Sequence, residues 1–370
     1  MALKRLVVVG GGIIGTAIAV EAVDRGHRVV QLERDEVPRA ASVRNFGLIW
    51  VCGRAGGREL ELALSGRGRW IELARRAPAI GLRPIGALVV ARTPAELDVL
   101  AAAHERDDAQ ERRFALLTPD ETDRLAPQLS GLVGALHSPL DAAVEPAAAL
   151  GALRDLASES GRYRFLPGRT VVHVDGAAVD HHGERHEADL VVVCSGGSPE
   201  LVPASVVEDA RLSRLRLQMM ETRPLASPPP TAVANGDALR YYPAFELPER
   251  ERLPLPDPIV TRLNLQLLIV PRPDGRLTIG DTHVDDPAAE VGSDEEADEY
   301  LLRRTRELLP AASISVRRRW TGSYVRRRDG RDVVVIEPTR SGALLVTAAG
   351  GMGLTAAPAI AAEALDKAEL

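Results

Sequence analysis

The stretch LVVVGGGIIGTAIAVEAVDRGHRVVQLE, Leu6 to Glu33, decides the fold. Val7 to Val9 is β-branched throughout and reads as a buried parallel strand. It runs into Gly10, Gly12 and Gly15, spaced G-x-G-x-x-G. Ile13 to Val23 follows with small apolar residues at helical spacing, Gly26 ends that helix, and His27 to Leu32 reads as a second strand. In such a turn the first glycine permits the tight bend, the second lets a pyrophosphate approach the backbone, and the third lets helix and strand pack closely. Ile13 and Ile14 open the helix, whose free N–H groups and positive end face phosphates. Glu33 lies about 20 residues beyond Gly12, where a carboxylate can accept hydrogen bonds from ribose hydroxyls. Strand, helix, second strand and terminal acid in one register predict dinucleotide binding. A glycine-rich turn without a ligand is the plainer alternative.

The rest of the composition narrows the class. The chain has 370 residues, which suggests two or three domains. It is 45% hydrophobic, enough for a sizeable core, and only 3% aromatic, so Trp or Tyr in a pocket stands out. The formal net charge of −6 argues against nucleic acid as a partner. Lys occurs only at Lys4 and Lys367, so nearly all positive charge is Arg. Two cysteines, Cys52 and Cys194, cannot make a disulfide framework. The N-terminal apolar run is short and broken by glycine, unlike a signal peptide or a membrane span. The expectation is a soluble cytoplasmic protein with no membrane partner, its oligomeric state left open.

Outward from Glu33, residues 34–59 read as a long loop rich in Gly and Arg, of the kind that is often functional. Helices are expected over Leu60 to Arg76 and Pro146 to Ser158, with Thr-Pro starts at Thr93 and Thr118. Thr170 to Val174 and Gly176 to Val179 read as a hairpin, and Ala188 to Ser195 as a buried strand. Leu212 to Val325 has strand-like runs, such as Leu263 to Val270 and Arg276 to Gly280, between Pro-rich loops, and reads as an antiparallel sheet. Val333 to Ile336 and Ala343 to Thr347 return to buried strands before the turn AAGGMGLT and an Ala-rich helix, Ala356 to Ala364. Dinucleotide-type segments at the start, middle and end, with sheet-type segments in the gaps, predict two interleaved domains.

At this point the chain resembles the D-amino acid oxidase, glycine oxidase and sarcosine oxidase superfamily of FAD enzymes over nearly its whole length. The carriers are the glycine fingerprint with Glu33-Arg34, AASVRNFG at 40–47, DLVVVCSGG at 189–197, DGRLTIG at 274–280, WTGSYVRRRDG at 320–330 and GGMGLT at 350–355. More narrowly, RNFGLIW, TIGDTH and WTGSY look like a branch proposed to oxidise aminophosphonates. The resemblance implies an α/β fold: a Rossmann-like FAD-binding domain interleaved with an antiparallel-sheet (α+β) substrate domain. The first would comprise 1–85, 141–211 and 328–370, the second 86–140 and 212–327. It implies non-covalent FAD and a small-molecule amine substrate, with O2 or another electron acceptor. It places Ser42, Arg44 and Asn45 along the pyrophosphate and flavin, Arg34 beside Glu33, and the main chain of Val171 at adenine. Cys194, Ser195 and Gly196 would pass the pyrophosphate. Gly350, Gly351, Met352, Gly353, Leu354 and Thr355 would bring backbone N–H groups to the flavin N1 and O2. A helix dipole there stabilises the negative charge of the reduced flavin.

Two positions depart from the family pattern. Many amino acid oxidases place Arg two residues after the Trp-x-Gly motif, to pair with a substrate carboxylate; here Tyr324 stands there. A phenol gives one neutral hydrogen bond, not a bidentate charged pair. A standard α-amino acid is therefore disfavoured, and the anion partner is sought among Arg44, Arg262, Arg272 and Arg326. Sarcosine oxidases carry an oxygen-activating Lys where this chain has Thr278, which puts rapid use of oxygen in doubt. Tyr241, Tyr242 and Trp50 are candidates for stacking over the substrate, against core packing as the plain reading. His283 is a candidate pocket base, otherwise a loop residue. His181, His182 and His186 have loose metal-like spacing in a polar hairpin, and no metal is expected. Cys52 is a remote candidate for a covalent flavin link. The function expected is FAD-dependent oxidation of a small amine bearing an anionic group by hydride transfer to flavin N5. A glycine-, sarcosine- or D-amino-acid-type oxidase and an electron-transfer subunit of a complex are the alternatives.

Overall fold

The computed structural model describes residues 2–194, 196–197, 201–203, 212–285, 292–328 and 333–370. The opening stretch forms the strand Arg5–Val9, the helix Ile13–Asp24 and the strand Arg28–Leu32, as its pattern predicts. The two strands pair in parallel, Val9 opposite Leu32. They sit inside a six-stranded sheet in the order Val335–Pro338, Leu344–Thr347, Leu190–Val193, Arg5–Val9, Arg28–Leu32, Tyr163–Leu166. All of its pairings are parallel except the first, so the C-terminal buried strands enter as an antiparallel edge. A strand at Tyr163–Leu166 was not legible in the sequence, because its partly exposed alternation is short and charged.

One face of this sheet is covered by the helices Ile13–Asp24, Arg58–Arg76, Pro146–Ser158 and Gly353–Lys367, which share one apolar cluster. Ala, Gly and Val let these helices approach closely. A Cβ at Gly66 would lie 2.2 Å from the Thr355 carbonyl, so the helix Arg58–Arg76 can cross the head of the C-terminal helix only as glycine. Trp70 Nε1 then donates to the Leu354 carbonyl at 2.9 Å. The other face packs under a three-stranded antiparallel sheet, Val171–Val174, Ala177–Asp180 and Arg185–Glu187. The expected hairpin is thus found, with a third strand added.

A nine-stranded sheet fills the remainder. Its path runs Val284–Asp285, Ser213–Thr222, Leu277–Gly280, Leu268–Pro271, Ala232–Ala234, Ala87–Ala91, Gly134–Ser138, Ala115–Leu117. The long strand Val316–Arg326 pairs antiparallel with Ser213–Thr222, Leu215 opposite Tyr324. Residues 87–91 join residues 232–234 in parallel, the one departure from the antiparallel expectation among its ladders. Two further readings are corrected. Leu263 to Val270 is a strand only from Leu268; its first half follows a short helix, Pro258–Arg262, with Asn264 at φ 44°. The region also holds a 14-residue helix, Glu295–Leu308, behind the sheet. Its N-cap Asp294 accepts from Ala297 N–H, a start signal that the Pro-rich surroundings obscured. Both Thr-Pro starts are full capping boxes, Thr93 with Glu96 and Thr118 with Glu121. Among the described residues no helix is long and apolar enough to cross a membrane.

Candidate functional site

The glycine turn is built as its spacing requires. Gly10 has φ +109°, and a Cβ there would lie 2.2 Å from the Cys194 carbonyl on the adjoining strand. A Cβ on Gly15 would lie 2.2 Å from the Gly10 carbonyl. The helix Ile13–Asp24 begins at Gly12 with no side-chain cap and no acid in its first turn, which leaves its positive end to an anion. Ser42 Oγ accepts from the Ile13 N–H at 2.9 Å, so the loop 41–45 lies directly against this terminus. Glu33 ends the second strand and accepts from Gly11 N–H at 2.6 Å and from Asp35 N–H at 2.9 Å. Arg154 lies on the same spot: it donates to the Gly11 carbonyl and covers the Phe165 ring at 3.9 Å. Neither Gly11 nor Arg154 was singled out from the sequence; Arg154 reaches the loop from a helix far along the chain.

One cavity of about 730 Å3 runs from this turn to the second glycine turn and on into an aromatic pocket. Gly12, Ile13, Ile14 and Gly15 line one end, with Ser42, Arg44 and Asn45 beside them. Gly350, Gly351, Met352, Gly353 and Leu354 line the middle. Cys194 and Gly196 line its edge, and Ser195 lies outside the described residues. The C-terminal helix Gly353–Lys367 starts here with no acid in its first turn, so a second positive helix end faces the same space. Thr355 does not line it; its Oγ1 accepts from the buried Trp50 N–H at 2.9 Å and so joins the helix head to the pocket loop. Glu33, Arg34 and Val171 also lie off the cavity. Val171 packs with Val9 and Leu32 at the ends of the first two strands, and Arg34 is exposed beside Asp35 at 3.9 Å.

At the far end stand Trp50, Tyr241, Tyr242 and Tyr324, so three of the chain's five tyrosines line one cavity. Trp50 and Tyr242 have centroids 5.3 Å apart, and Tyr241 meets Tyr242 edge-on at 4.9 Å. His283 stacks on Tyr241 at 4.1 Å. Tyr241 and Tyr324 share a hydrogen bond, and burial raises both phenols, Tyr324 to about 12. They are neutral donors at physiological pH. A Cβ on Gly351 would lie 3.4 Å from Tyr324 Oη, so this phenol joins the aromatic pocket to the glycine turn.

The structure separates the arginine candidates. Arg326 lines the cavity, 3.7 Å from Asp285, and Arg44 lines it while donating to the Thr321 carbonyl at 3.0 Å. Arg262 does not reach it: it pairs with Asp294 and Glu296 at the surface. Arg272 does not reach it either. Its guanidinium is buried under the loop and binds Thr278 Oγ1 at 2.8 Å, Glu145 at 3.2 Å, and the Val144 and Asn45 carbonyls. A residue the sequence did not flag stands in the pocket instead. Arg54 donates to the Trp50 carbonyl and to the Gly351 carbonyl, each at 3.1 Å, and lines the cavity. Asp281 and Gln266, also unflagged, form a buried acid–amide pair beside His283. Cys52 is fully buried off the cavity, where burial and Asp141 raise its thiol. Among the histidines, His186 meets Asp180 and Glu184 closely, yet Arg169 Nη1 already holds both carboxylates at 2.7 and 2.8 Å.

The cavity therefore offers two positive helix ends, glycine surfaces that no side chain can occupy, and one closed aromatic end. A long anionic dinucleotide bearing a flat ring system fits that shape. A family model described as FAD dependent oxidoreductase matches residues 5–366. The chain belongs to this family. The FAD dependent oxidoreductase is 24% identical over 384 residues to an opine oxidase subunit from Rhizobium meliloti, covering 98% of this chain and 94% of that one. Glycine oxidase from Geobacillus kaustophilus shares its fold at a TM-score of 0.78, with 22% identity over 100% of this chain and 95% of that chain. L-alpha-glycerophosphate oxidase from Mycoplasma pneumoniae, with FAD bound, does so at 0.75, with 19% identity over 100% and 96%. FAD is the cofactor of the family, and the two glycine turns are where this chain fits it.

Removal of the Glu33 carboxylate is expected to weaken FAD. It orders the Gly11 backbone and stands at the ribose position, and a charge-assisted hydrogen bond is worth about 1.5–3 kcal/mol. Glu33→Ala should raise the FAD dissociation constant roughly 10- to 150-fold, read by fluorescence of released flavin. Unchanged affinity would show that the ribose is held elsewhere.

Proposed function

We propose that this protein oxidises a small amine carrying an anionic group, of aminophosphonate type, to an imine or aldehyde. The observation that carries the reading is the pair of guanidiniums about Tyr324: Arg54 and Arg326 both line the cavity and both act on its phenol. A phosphonate carries up to two charges and three acceptor oxygens, which suits two Arg and a phenol better than a carboxylate does. FAD, when bound, supplies a two-electron acceptor for hydride. The chain's part is to orient the amine C–H toward it, hold the anion and exclude water. Trp50, Tyr241 and Tyr242 supply the desolvated walls, and His283 a neutral imidazole beside the amine. The acceptor that takes the electrons on is oxygen or another compound. The reading includes non-covalent FAD, the two-domain division at the boundaries given above, and a cytoplasmic setting.

A second reading has its own support. The similarity to a protein named as part of an oxidase of more than one chain favours a flavoprotein that works inside a complex. One experiment separates these. Anaerobic mixing with 2-aminoethylphosphonate, its hydroxylated and N-methylated forms, glycine, sarcosine and D-alanine is followed by bleaching of the flavin. The phosphonates are expected to bleach it faster. Faster bleaching by glycine or D-alanine would replace the phosphonate reading with an amino acid oxidase, and bleaching that needs a partner chain would favour the complex.

A further inference from the structure

Asp281 is the one buried acid lining the cavity among the described residues. It is fixed from three directions. Its backbone exchanges both hydrogen bonds with Gln266, at 3.0 and 2.8 Å. Its Oδ1 accepts from Gln266 Nε2 at 2.8 Å, and the same amide donates to Tyr242 Oη at 3.0 Å. Its Oδ2 lies 3.4 Å from His283 Nε2. The other ring nitrogen of His283, Nδ1, is 3.2 Å from the Asn264 carbonyl. A carbonyl only accepts, so Nδ1 carries the hydrogen and the neutral imidazole turns its bare Nε2 to the carboxyl. One proton therefore has a place between Oδ2 and Nε2, and nothing else in that contact can supply it.

We propose that Asp281, backed by His283, receives the proton that the substrate ammonium must lose before its C–H hydride can leave. This rests on the amine reading and adds the residue that prepares the amine. The ammonium N–H bond breaks, its electron pair stays on nitrogen, and the proton bonds to Asp281 Oδ2. The neutral amine then gives up hydride, which carries two electrons to FAD, and becomes an iminium that water hydrolyses. An amine that keeps its fourth bond to hydrogen has no lone pair to drive hydride out, so this transfer comes first.

The surroundings suit the task. Burial raises the Asp281 carboxyl to about 8 and lowers the His283 imidazole to about 3. An acid poised near working pH is an effective proton acceptor. The entering cation favours the carboxylate form, as an opposite charge does. The other titratable groups facing the pair are the phenols of Tyr241, Tyr242 and Tyr324, all held neutral by burial. Arg326 acts on His283 and Arg54 on two of the phenols, both positive, so Asp281 is the acid facing the amine. The aromatic faces of Trp50, Tyr241 and Tyr242 accept a cation and its alkyl groups without hydrating them.

The test uses Asp281→Asn holoenzyme, which keeps the Gln266 contact, with His283→Gln as a second variant. Each is first checked for flavin content and melting temperature against wild type. Anaerobic flavin bleaching is then measured from pH 6 to 10 with 2-aminoethylphosphonate, glycine and sarcosine. Asp281→Asn should bleach about 100-fold slower or more at pH 7. The deficit should shrink toward pH 10, where the amine arrives already neutral. His283→Gln should show a smaller deficit with the same shape. Substrate binding to wild type at pH 7 should release a proton to a dye indicator, and Asp281→Asn should release none. A variant that bleaches like wild type at pH 7, or a deficit equal at every pH, overturns the proposal. If glycine is the better substrate and the deficit persists, the phosphonate reading falls and the proton acceptor stands. If no amine bleaches the wild type, both fall.

Discussion

Gly10→Ala should yield protein without flavin. The residue has φ +109°, a conformation that side-chain-bearing residues rarely adopt, and the new Cβ would lie 2.2 Å from the Cys194 carbonyl. Neither side can retreat. Cys194 N–H is bonded to the Val9 carbonyl at 2.7 Å, and Gly10 N–H to the Leu32 carbonyl at 2.8 Å. Three strands of the parallel sheet therefore meet at this atom. Strain at such a backbone with overpacking costs roughly 2–5 kcal/mol. Relief comes only by moving the turn that aims the helix Ile13–Asp24, and with it the N–H groups that face phosphate. Absorbance at flavin wavelengths relative to total protein, with calorimetry of the same sample, checks both consequences. Full flavin content with an unchanged melting temperature would show that the turn does not hold the cofactor.

Arg54→Met should cost roughly 10- to 150-fold in kcat/KM for the best anionic amine, the equivalent of about 1.5–3 kcal/mol for one charged hydrogen bond. Arg54 is positioned before substrate arrives, by bonds to the Trp50 and Gly351 carbonyls. Little side-chain entropy is left to lose when it takes an anion. Met keeps much of the length and packing of the stem and removes the charge. Arg54→Lys keeps the charge and loses the fork, so it should fall between. Arg272→Met serves as the contrast: its loss should lower stability through Thr278 and Glu145 with no selective effect on anionic amines. Steady-state kinetics with an anionic amine and an uncharged analogue decide the matter. Equal losses for both would assign Arg54 to holding the loop alone.

How far the sequence reaches depends on how local each feature is. The strand–glycine–helix–strand unit is contiguous, and its spacing alone implies Gly10 against the next strand and Gly15 against Gly10. The C-terminal glycine turn is equally local, since a glycine-rich run followed by an Ala-rich helix describes its own geometry. Both capping boxes were legible for the same reason. Tyr241, Tyr242, Trp50, His283 and Tyr324 were legible as rare residue types near motifs, and the structure brings all five to one cavity.

The charged residues were another matter. Arg262 and Arg272 look as eligible in sequence as Arg54, and nothing local ranks them. What ranks them is which partners the fold supplies. Glu296 and Asp294 take Arg262 at the surface, and Glu145, Val144, Asn45 and Thr278 enclose Arg272 from segments far apart in the chain. Asp281 gained its character the same way, because desolvation by burial, not its neighbours in sequence, raises its carboxyl. Sequence determined where the backbone must bend and where no side chain can stand, since those follow from the covalent chain. Only the tertiary structure decided which charges are spent on one another and which face the cavity. A charge's role is set by its surroundings within a few ångströms, and those surroundings come from every part of the chain.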